Sequence, residues 1–197
     1  MLMIYYNMES ELTWNIIDKY FNDNPNSFVA HHLDSYNDFF NAGLKQILKE
    51  KNPIKILKQQ DPDTKEFGLQ CELYLGGRDG DKIYYGKPII YDDRNIHYMY
   101  PNEARLRNMT YGFSIHFDVD VDFSIRNEEG KQEKHTITLE KIYLGRFPIM
   151  LQSNFCILEG LAPKVRFEMG ECNNDPGGYF IIDGKEKVIV CQEKFGD

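Results

Sequence analysis

The stretch that most constrains the fold is residues 170–192, GECNNDPGGYFIIDGKEKVIVCQ, which has the pattern of a loop leading into a tight β-hairpin. Residues 175–178 (DPGG) have turn chemistry, because proline presets one φ angle and glycine accepts positive φ. The pair at 183–184 (DG) is favoured in a type I′ turn. Residues 188–190 (VIV) are expected to form the returning strand, covered on both faces because the run is apolar throughout. Such a hairpin by itself carries no chemistry.

Hydrophobic periodicity predicts two helices near the N-terminus. The first has Ser10 as its N-cap and ends at residues 24–26 (NPN), where proline stops it. The second begins near Asp34 and Ser35, with Ser35 and Asp38 spaced like a capping box. Its apolar stripe is typical of a core face. Residues 49–65 are charged and broken by proline, which predicts a loop or a short helix.

Strand patterns fill the middle of the chain. Residues 67–75 alternate as a half-buried strand, and the glycine-rich loop at 76–80 is interpreted as a hairpin turn, since it lacks the P-loop signature. Residues 82–91 predict a further strand, with an edge or bulge at Pro88. A helix is expected to begin at Pro101. Residues 142–151 predict an edge strand, because they contain Pro148.

Net charge, cysteine spacing and missing motifs limit the functions that this chain can have. The 197 residues carry 31 acidic and 23 basic side chains, a net charge of −8, so any nucleic-acid contact must be local or shared with a partner. The four cysteines show no C-x-x-C spacing, which argues against zinc and thioredoxin-type motifs and favours reduced thiols. His31 and His32 have no third ligand at a fixed spacing and are interpreted as loop or cap residues. No metal site, catalytic motif or membrane span is expected.

The residues alone therefore predict an α+β domain, an antiparallel hairpin-rich sheet with N-terminal helices. Four segments add a specific resemblance: residues 33–39 (LDSYNDF), 100–111 (YPNEARLRNMTY), 144–151 (LGRFPIML) and the hairpin stretch. In this order they resemble motifs of the second-largest subunit of multisubunit DNA-dependent RNA polymerases. The resemblance favours the eukaryotic and large-DNA-virus branch, and it is poor between residues 51 and 98.

The resemblance implies a domain organisation and a reaction. Residues 1–32 would be a helical lead-in, and residues 33–197 the first segment of the protrusion domain, truncated before the lobe. The segment would form a wall of the nucleic-acid cleft in DNA-templated RNA synthesis from NTPs. Nucleotidyl transfer would use Mg²⁺ held largely by the largest subunit, so no catalytic residue and no bound cofactor are expected here, and the segment would be inactive alone.

The resemblance also implies which side chains face nucleic acid. Lys187 and Gln192 follow the tight turn, in a position that borders the nascent RNA in bacterial relatives, and a cation there would bind phosphate without sequence preference. Arg105, Arg107 and Arg146 are weaker candidates. Arg105 and Arg107 diverge by about 200° on a helix and cannot face one ligand, so structural ion pairs are the plainer interpretation.

A row of aspartates, Asp118, Asp120 and Asp122, raises a different hypothesis. In the family, an Asp-x-Asp-x-Asp pattern binds catalytic metal, but on a loop of the other large subunit. Here residues 114–125 alternate as a strand, which spaces the three carboxylates about 7 Å apart along one face. That row fits a solvated face better than a compact metal site. A metal-dependent enzyme at these aspartates would require stabilisation by Mg²⁺ or Mn²⁺.

The implied partners are the largest and other polymerase subunits, the DNA template, the RNA–DNA hybrid and initiation factors, with no membrane. The implied location is intracellular: host cytoplasm or virion for a large DNA virus, which frequent Asn, Ile, Lys and Tyr favour, or the nucleus for a eukaryote. An alternative is a free-standing, polymerase-derived interaction domain without catalysis.

Overall fold

A computed structural model describes residues 2–60, 67–92, 95–126, 132–192 and 194–196. It confirms the α+β class, with helices first and an antiparallel sheet after them. The helices are α1 Leu2–Asp23, α2 Ala30–Asp38, α3 Leu44–Lys51, α4 Pro101–Leu106 and α5 Pro163–Glu168, and a π-helical turn at Phe39–Gly43 joins α2 to α3. The strands are β1 Ile54–Gln60, β2 Phe67–Leu75, β3 Ile83–Tyr85, β4 Ile89–Asp92, β5 Asn95–Tyr98, β6 Gly112–Arg126, β7 Gln132–Pro148, β8 Phe180–Ile182 and β9 Lys185–Lys187.

The two N-terminal helices begin earlier than predicted. Helix α1 starts at Leu2, so Ser10 lies inside it and is not its N-cap. Helix α2 starts at Ala30 after Val29, which forms no side-chain cap, and the predicted capping box of Ser35 and Asp38 is wrong because both residues lie within the helix. Packing sets this start instead: Val29 and Leu33 contact the core around Phe180.

The main sheet is built around the long strand β6. On one side β6 pairs with β2 and then with β3, which lie end to end, and on the other side it pairs with β7. The glycine loop at 76–80 is a turn, as predicted, but it is not a hairpin turn, because both flanking strands pair with β6. The Gly76 amide donates to the Asp118 carbonyl over 2.8 Å, which holds the loop against β6.

Two other strand predictions change in the structure. The loop or short helix predicted at residues 49–65 is wrong for Ile54–Gln60, which form β1 and pair antiparallel with β2. Residues 61–65 of that prediction lie outside the described residues. Ile54 and Ile56 are exposed at the edge position of β1. The strand is not a buried one, so its sequence does not show the pattern by which a buried strand is recognised. Pro88 splits the strand predicted at 82–91 into β3 and β4, and β4 turns away to pair with β5.

The tight hairpin forms, but its returning strand lies three residues earlier than predicted, at Lys185–Lys187 instead of residues 188–190. Asp183 and Gly184 have φ angles of 51° and 74°, as a type I′ turn requires. A two-residue loop fixes the register, so Lys185 pairs directly with Ile182 and β9 ends at Lys187. The apolar residues 188–190 lie outside the strand and are 60–73% exposed, so their predicted cover on both faces is wrong.

The four segments that carry the resemblance meet in one place, which we call the motif junction: Tyr36, Tyr111, residues 148–151 and residues 179–181. The Tyr111 amide donates to the Ile181 carbonyl, and the Ile149 amide donates to the Tyr111 carbonyl, over 3.0 and 2.9 Å. The Leu151 amide donates to the Tyr179 carbonyl over 2.9 Å. From α2, the Tyr36 hydroxyl donates to the Pro148 carbonyl over 2.8 Å.

Replacing Tyr111 by Phe should destabilise the chain, because the fully buried Tyr111 hydroxyl accepts the Ile157 amide over 3.1 Å. Removing that acceptor leaves a partly buried amide without a partner, at a cost of about 1–3 kcal/mol in the free energy of unfolding. Urea denaturation measures the change. The matched control is Tyr91→Phe, since Tyr91 is 76% exposed. Equal midpoints for the two variants would contradict this role for Tyr111.

Candidate nucleic-acid interface

Arg105 lies at the centre of a buried polar network. Helix α4 begins with Pro101 and carries Arg105 in its last turn. The Arg105 guanidinium donates from Nη1 to both Glu171 carboxylate oxygens, each over 2.9 Å, and from Nε to Glu186 over 2.8 Å. Nη2 donates to the Tyr179 hydroxyl over 2.8 Å, and that hydroxyl donates onward to Asp175. One guanidinium thus joins α4, the loop before the hairpin and strand β9.

Burial makes this network costly to disturb. The Glu171 side chain is only 3% exposed and that of Arg105 is 20% exposed. Burial raises the pKa of the Glu171 carboxyl, and the charge and hydrogen bonds of Arg105 partly offset that effect. Burial also raises the pKa of Tyr179, which keeps its hydroxyl protonated as a donor to Asp175. The network therefore holds the hairpin in place. The Arg105 cation is bound within it and is not free.

Arg107 points away from Arg105, as their spacing predicted. Its guanidinium donates to the two Asp92 oxygens over 2.7 and 3.1 Å, and to Glu103 over 2.9 Å. The hydrogen bonds from Arg107 lower the pKa of the Asp92 carboxyl. Arg105 in α4 and Arg107 directly after it are thus both engaged by carboxylates of this acidic chain.

Arg146 lies in a different setting. Its Nη2 donates to the Thr110 carbonyl over 3.1 Å. Together with Lys87, it lines a cleft of about 300 Å³ that is otherwise formed by Gly86, Ile89, Tyr91, Gly112 and Ser114. Lys87 donates to the Tyr98 hydroxyl over 3.2 Å. Since no carboxylate is among the residues lining this cleft, it is locally basic. The sequence did not indicate Lys87 as a candidate, because it lies in none of the four motif segments.

Lys187 and Gln192 lie at the far end of the hairpin. Lys187 is the last residue of β9 and is exposed, and it has no ion pair within the part of the chain that the structure describes. Strand alternation places Lys187 on the opposite face from Glu186, which binds Arg105. Gln192 is exposed in the segment that follows. No described hydrogen bond or ion pair joins any two of the five candidate residues.

The aspartate row is partly buried, contrary to the predicted solvated face. Asp118 and Asp120 are only 7% and 8% exposed. Asp118 accepts the Lys141 amide over 2.9 Å and the Tyr84 hydroxyl over 3.0 Å, and Asp120 accepts the Thr138 hydroxyl over 2.7 Å. The threonine, the lysine amide and the tyrosine come from strands on either side of β6 and cover these carboxylates.

The third aspartate of the row completes this pattern. Asp122 accepts the Thr136 hydroxyl over 2.8 Å and Arg78 over 2.7 Å. These hydrogen bonds, that of Thr136 foremost, lower the pKa of the Asp122 carboxyl. Within the described residues, the three aspartates do not form a group whose ligand atoms converge. The row therefore acts as a set of cross-strand links that fasten β6 to its neighbours.

Comparison with known proteins decides the family. The family model described as "RNA polymerase beta subunit" matches residues 27–196, which include all four motif segments. The chain belongs to this family. No helix in the described part of the chain combines the length and apolarity needed to cross a membrane.

Similar proteins come from eukaryotes and archaea. The chain is 32% identical to DNA-directed RNA polymerase II subunit RPB2 of Eremothecium gossypii and 36% identical to that of Encephalitozoon cuniculi, over 94% and 95% of its length. It is 36% identical to DNA-directed RNA polymerase subunit Rpo2N of Methanothermobacter thermautotrophicus, over 92% of its length. It spans 16% of each RPB2 relative and 30% of the Rpo2N relative.

Substitution of Arg105 and Arg107 should distinguish an arginine that anchors the hairpin from one that forms surface ion pairs. Arg105→Met leaves the buried Glu171 carboxylate unpaired, and breaking such a pair costs about 3–5 kcal/mol of unfolding free energy. Arg107→Met removes two more exposed ion pairs, to Asp92 and Glu103, and we expect a much smaller loss. Urea denaturation of both variants measures the difference. Equal losses would show that the Arg105 network does not anchor the hairpin.

Mg²⁺ and Mn²⁺ should leave the thermal stability of the chain unchanged, because all three aspartates of the row already accept hydrogen bonds from protein donors. The melting temperature is measured with MgCl₂ or MnCl₂ against NaCl of matched ionic strength. A saturable rise that Asp120→Asn abolishes would instead establish a metal site at the row.

Proposed function

We propose that this chain forms a wall of the nucleic-acid cleft in the second-largest subunit of a DNA-directed RNA polymerase. In that role it contributes to RNA synthesis from NTPs by the whole complex. The observation that carries the proposal is the family match across residues 27–196. The Mg²⁺ chemistry of nucleotidyl transfer would belong to other parts of the enzyme, and the residues here would act as scaffold and cleft lining.

The arrangement of charges supports a local contact with nucleic acid. A net charge of −8 does not favour phosphate overall, so any contact with nucleic acid must be local. Lys187 is an exposed cation on a hairpin held rigidly by the Arg105 network, and Gln192 follows it. The cleft of Arg146 and Lys87 is a second local basic site. Arg105 and Arg107 contribute less directly, because their guanidinium groups are already bound by carboxylates.

The proposed partners follow from the same role: the largest subunit, other polymerase subunits, the DNA template, the RNA–DNA hybrid and initiation factors. Exposed apolar side chains support protein partners, since Leu12, Trp14 and Ile16 of α1 are more than 60% exposed.

The division of the chain into residues 1–32 and 33–197 stays a prediction, and helix α2 crosses the boundary between them. The named relatives are cellular, and those of RNA polymerase II favour a nuclear location over a viral one.

The size of the native protein tests the proposal against a free-standing interaction domain. An antibody raised against this chain should detect a band several times heavier than 23.2 kDa that co-purifies with a largest polymerase subunit. A band at the mass of this chain alone, free of other polymerase subunits, would favour the free-standing domain.

Replacing Lys187 by Glu should shorten the half-life of the elongation complex in a polymerase that carries this subunit. Loss of one phosphate contact should also reduce the slope of affinity against salt concentration by about 1. The matched control is Lys45→Glu, an equal charge change at an exposed residue of α3. An unchanged half-life, with the fold intact by circular dichroism, counts against a nucleic-acid contact at Lys187.

A further inference from the structure

One group of metal-ligating side chains comes together in the part of the chain that the structure describes. The ligand atoms of His31, His32 and Cys191 all lie within 4.8 Å of one another. His31 and His32 are in the first turn of α2, not in a loop or cap as predicted, and Cys191 lies in the extended segment after β9. The group thus joins two parts of the chain that are 160 residues apart in sequence.

The distance between Cys191 and His31 matches that between two ligands of a tetrahedral metal centre. Cys191 Sγ lies 3.7 Å from His31 Nε2. Bond lengths of about 2.3 Å to sulfur and 2.0–2.1 Å to nitrogen place the two ligand atoms of a tetrahedral zinc site about 3.6 Å apart. The two imidazole rings have centroids 4.1 Å apart and a tilt of 36°. All three ligand atoms lie within 4.8 Å of one another, so rotation of the side chains would be needed to bring them onto one ion.

The ligand chemistry narrows the choice of ion. Imidazole nitrogen and thiolate sulfur suit borderline and soft ions such as Zn²⁺, whereas Mg²⁺ and Ca²⁺ prefer oxygen. Three protein ligands leave a fourth position for water or for a group from a partner. His31 and Cys191 are exposed and His32 is half-buried, so an ion reaches the group from solvent.

We propose that His31, His32 and Cys191 bind one Zn²⁺-class ion that fastens the segment after β9 to helix α2. The segment needs such a link, since residues 188–190 are exposed and belong to no strand. Beside the group lies an apolar cleft of about 520 Å³. It is lined by residues of α2, β7 and β8 and by Ile189 and Cys191. An ion here would hold Ile189 over the cleft, so binding and ordering of the segment are coupled.

Cobalt(II) is the direct probe, because a tetrahedral thiolate site gives intense visible d–d bands and a sulfur-to-cobalt charge-transfer band. The full 197-residue chain, kept reduced, should bind one equivalent of Co²⁺ with both features, and Zn²⁺ should displace it. Cys191→Ser should lose the charge-transfer band. His32→Asn should weaken binding by more than the roughly 10- to 100-fold that outer-shell changes cause.

Two control variants keep the test specific. Cys172→Ser removes another exposed cysteine, and His135→Asn another exposed histidine, and both should bind Co²⁺ like the wild type. Zn²⁺ should also raise the melting temperature of the wild type and of both controls, but not that of Cys191→Ser. Absence of stoichiometric Co²⁺ binding, or an unchanged spectrum in Cys191→Ser, overturns the proposal and leaves the Cys191–His31 contact as a hydrogen bond.

Discussion

The ion pair between Arg105 and Glu171, in which Nη1 donates to both carboxylate oxygens, is the interaction on which the position of the hairpin depends. Glu171 is buried, and its charge is tolerable only because a guanidinium lies 2.9 Å from both of its oxygens. The same guanidinium reaches Glu186 on β9 and, through Tyr179, the turn at Asp175. A short helix therefore positions a hairpin that begins more than 70 residues later. Arginine suits this position because its planar group donates in several fixed directions at once.

Backbone hydrogen bonds at the motif junction also fix how the segments of the chain lie against one another. Tyr111 connects the end of α4 to both β8 and the segment after β7. Gly178 has a φ angle of 79°, and a Cβ there would lie 2.7 Å from the Cβ of Val29, so only glycine lets α2 approach the hairpin. The segments that resemble polymerase motifs are thus the segments that hold the domain together.

Electrostatics restricts where an acidic chain of this family can meet nucleic acid. Arg78, Arg105 and Arg107 are bound by carboxylates of the chain itself. Lys187 and the cleft of Arg146 and Lys87, by contrast, are separate local features of positive charge. In the proposed role, contact with phosphate would therefore be made at these local sites. The segment after β9 adds a different surface, which is apolar and close to the group of two histidines and one cysteine.

By itself, the sequence determined the fold class, the type I′ turn at Asp183-Gly184, the start of α4 at Pro101 and the divergence of Arg105 and Arg107, because each follows from local backbone chemistry or from helix periodicity. Four of its segments also resembled motifs of the polymerase family. Only the tertiary structure decided that residues 54–60 form an edge strand and that the glycine loop at 76–80 joins two strands on one side of β6, because pairing partners depend on distant residues. It also decided that residues 188–190 are exposed, because exposure depends on which distant residues cover a segment. For the same reason, sequence spacing could not predict that Cys191 lies near the histidines of α2, or that Glu171 pairs with Arg105.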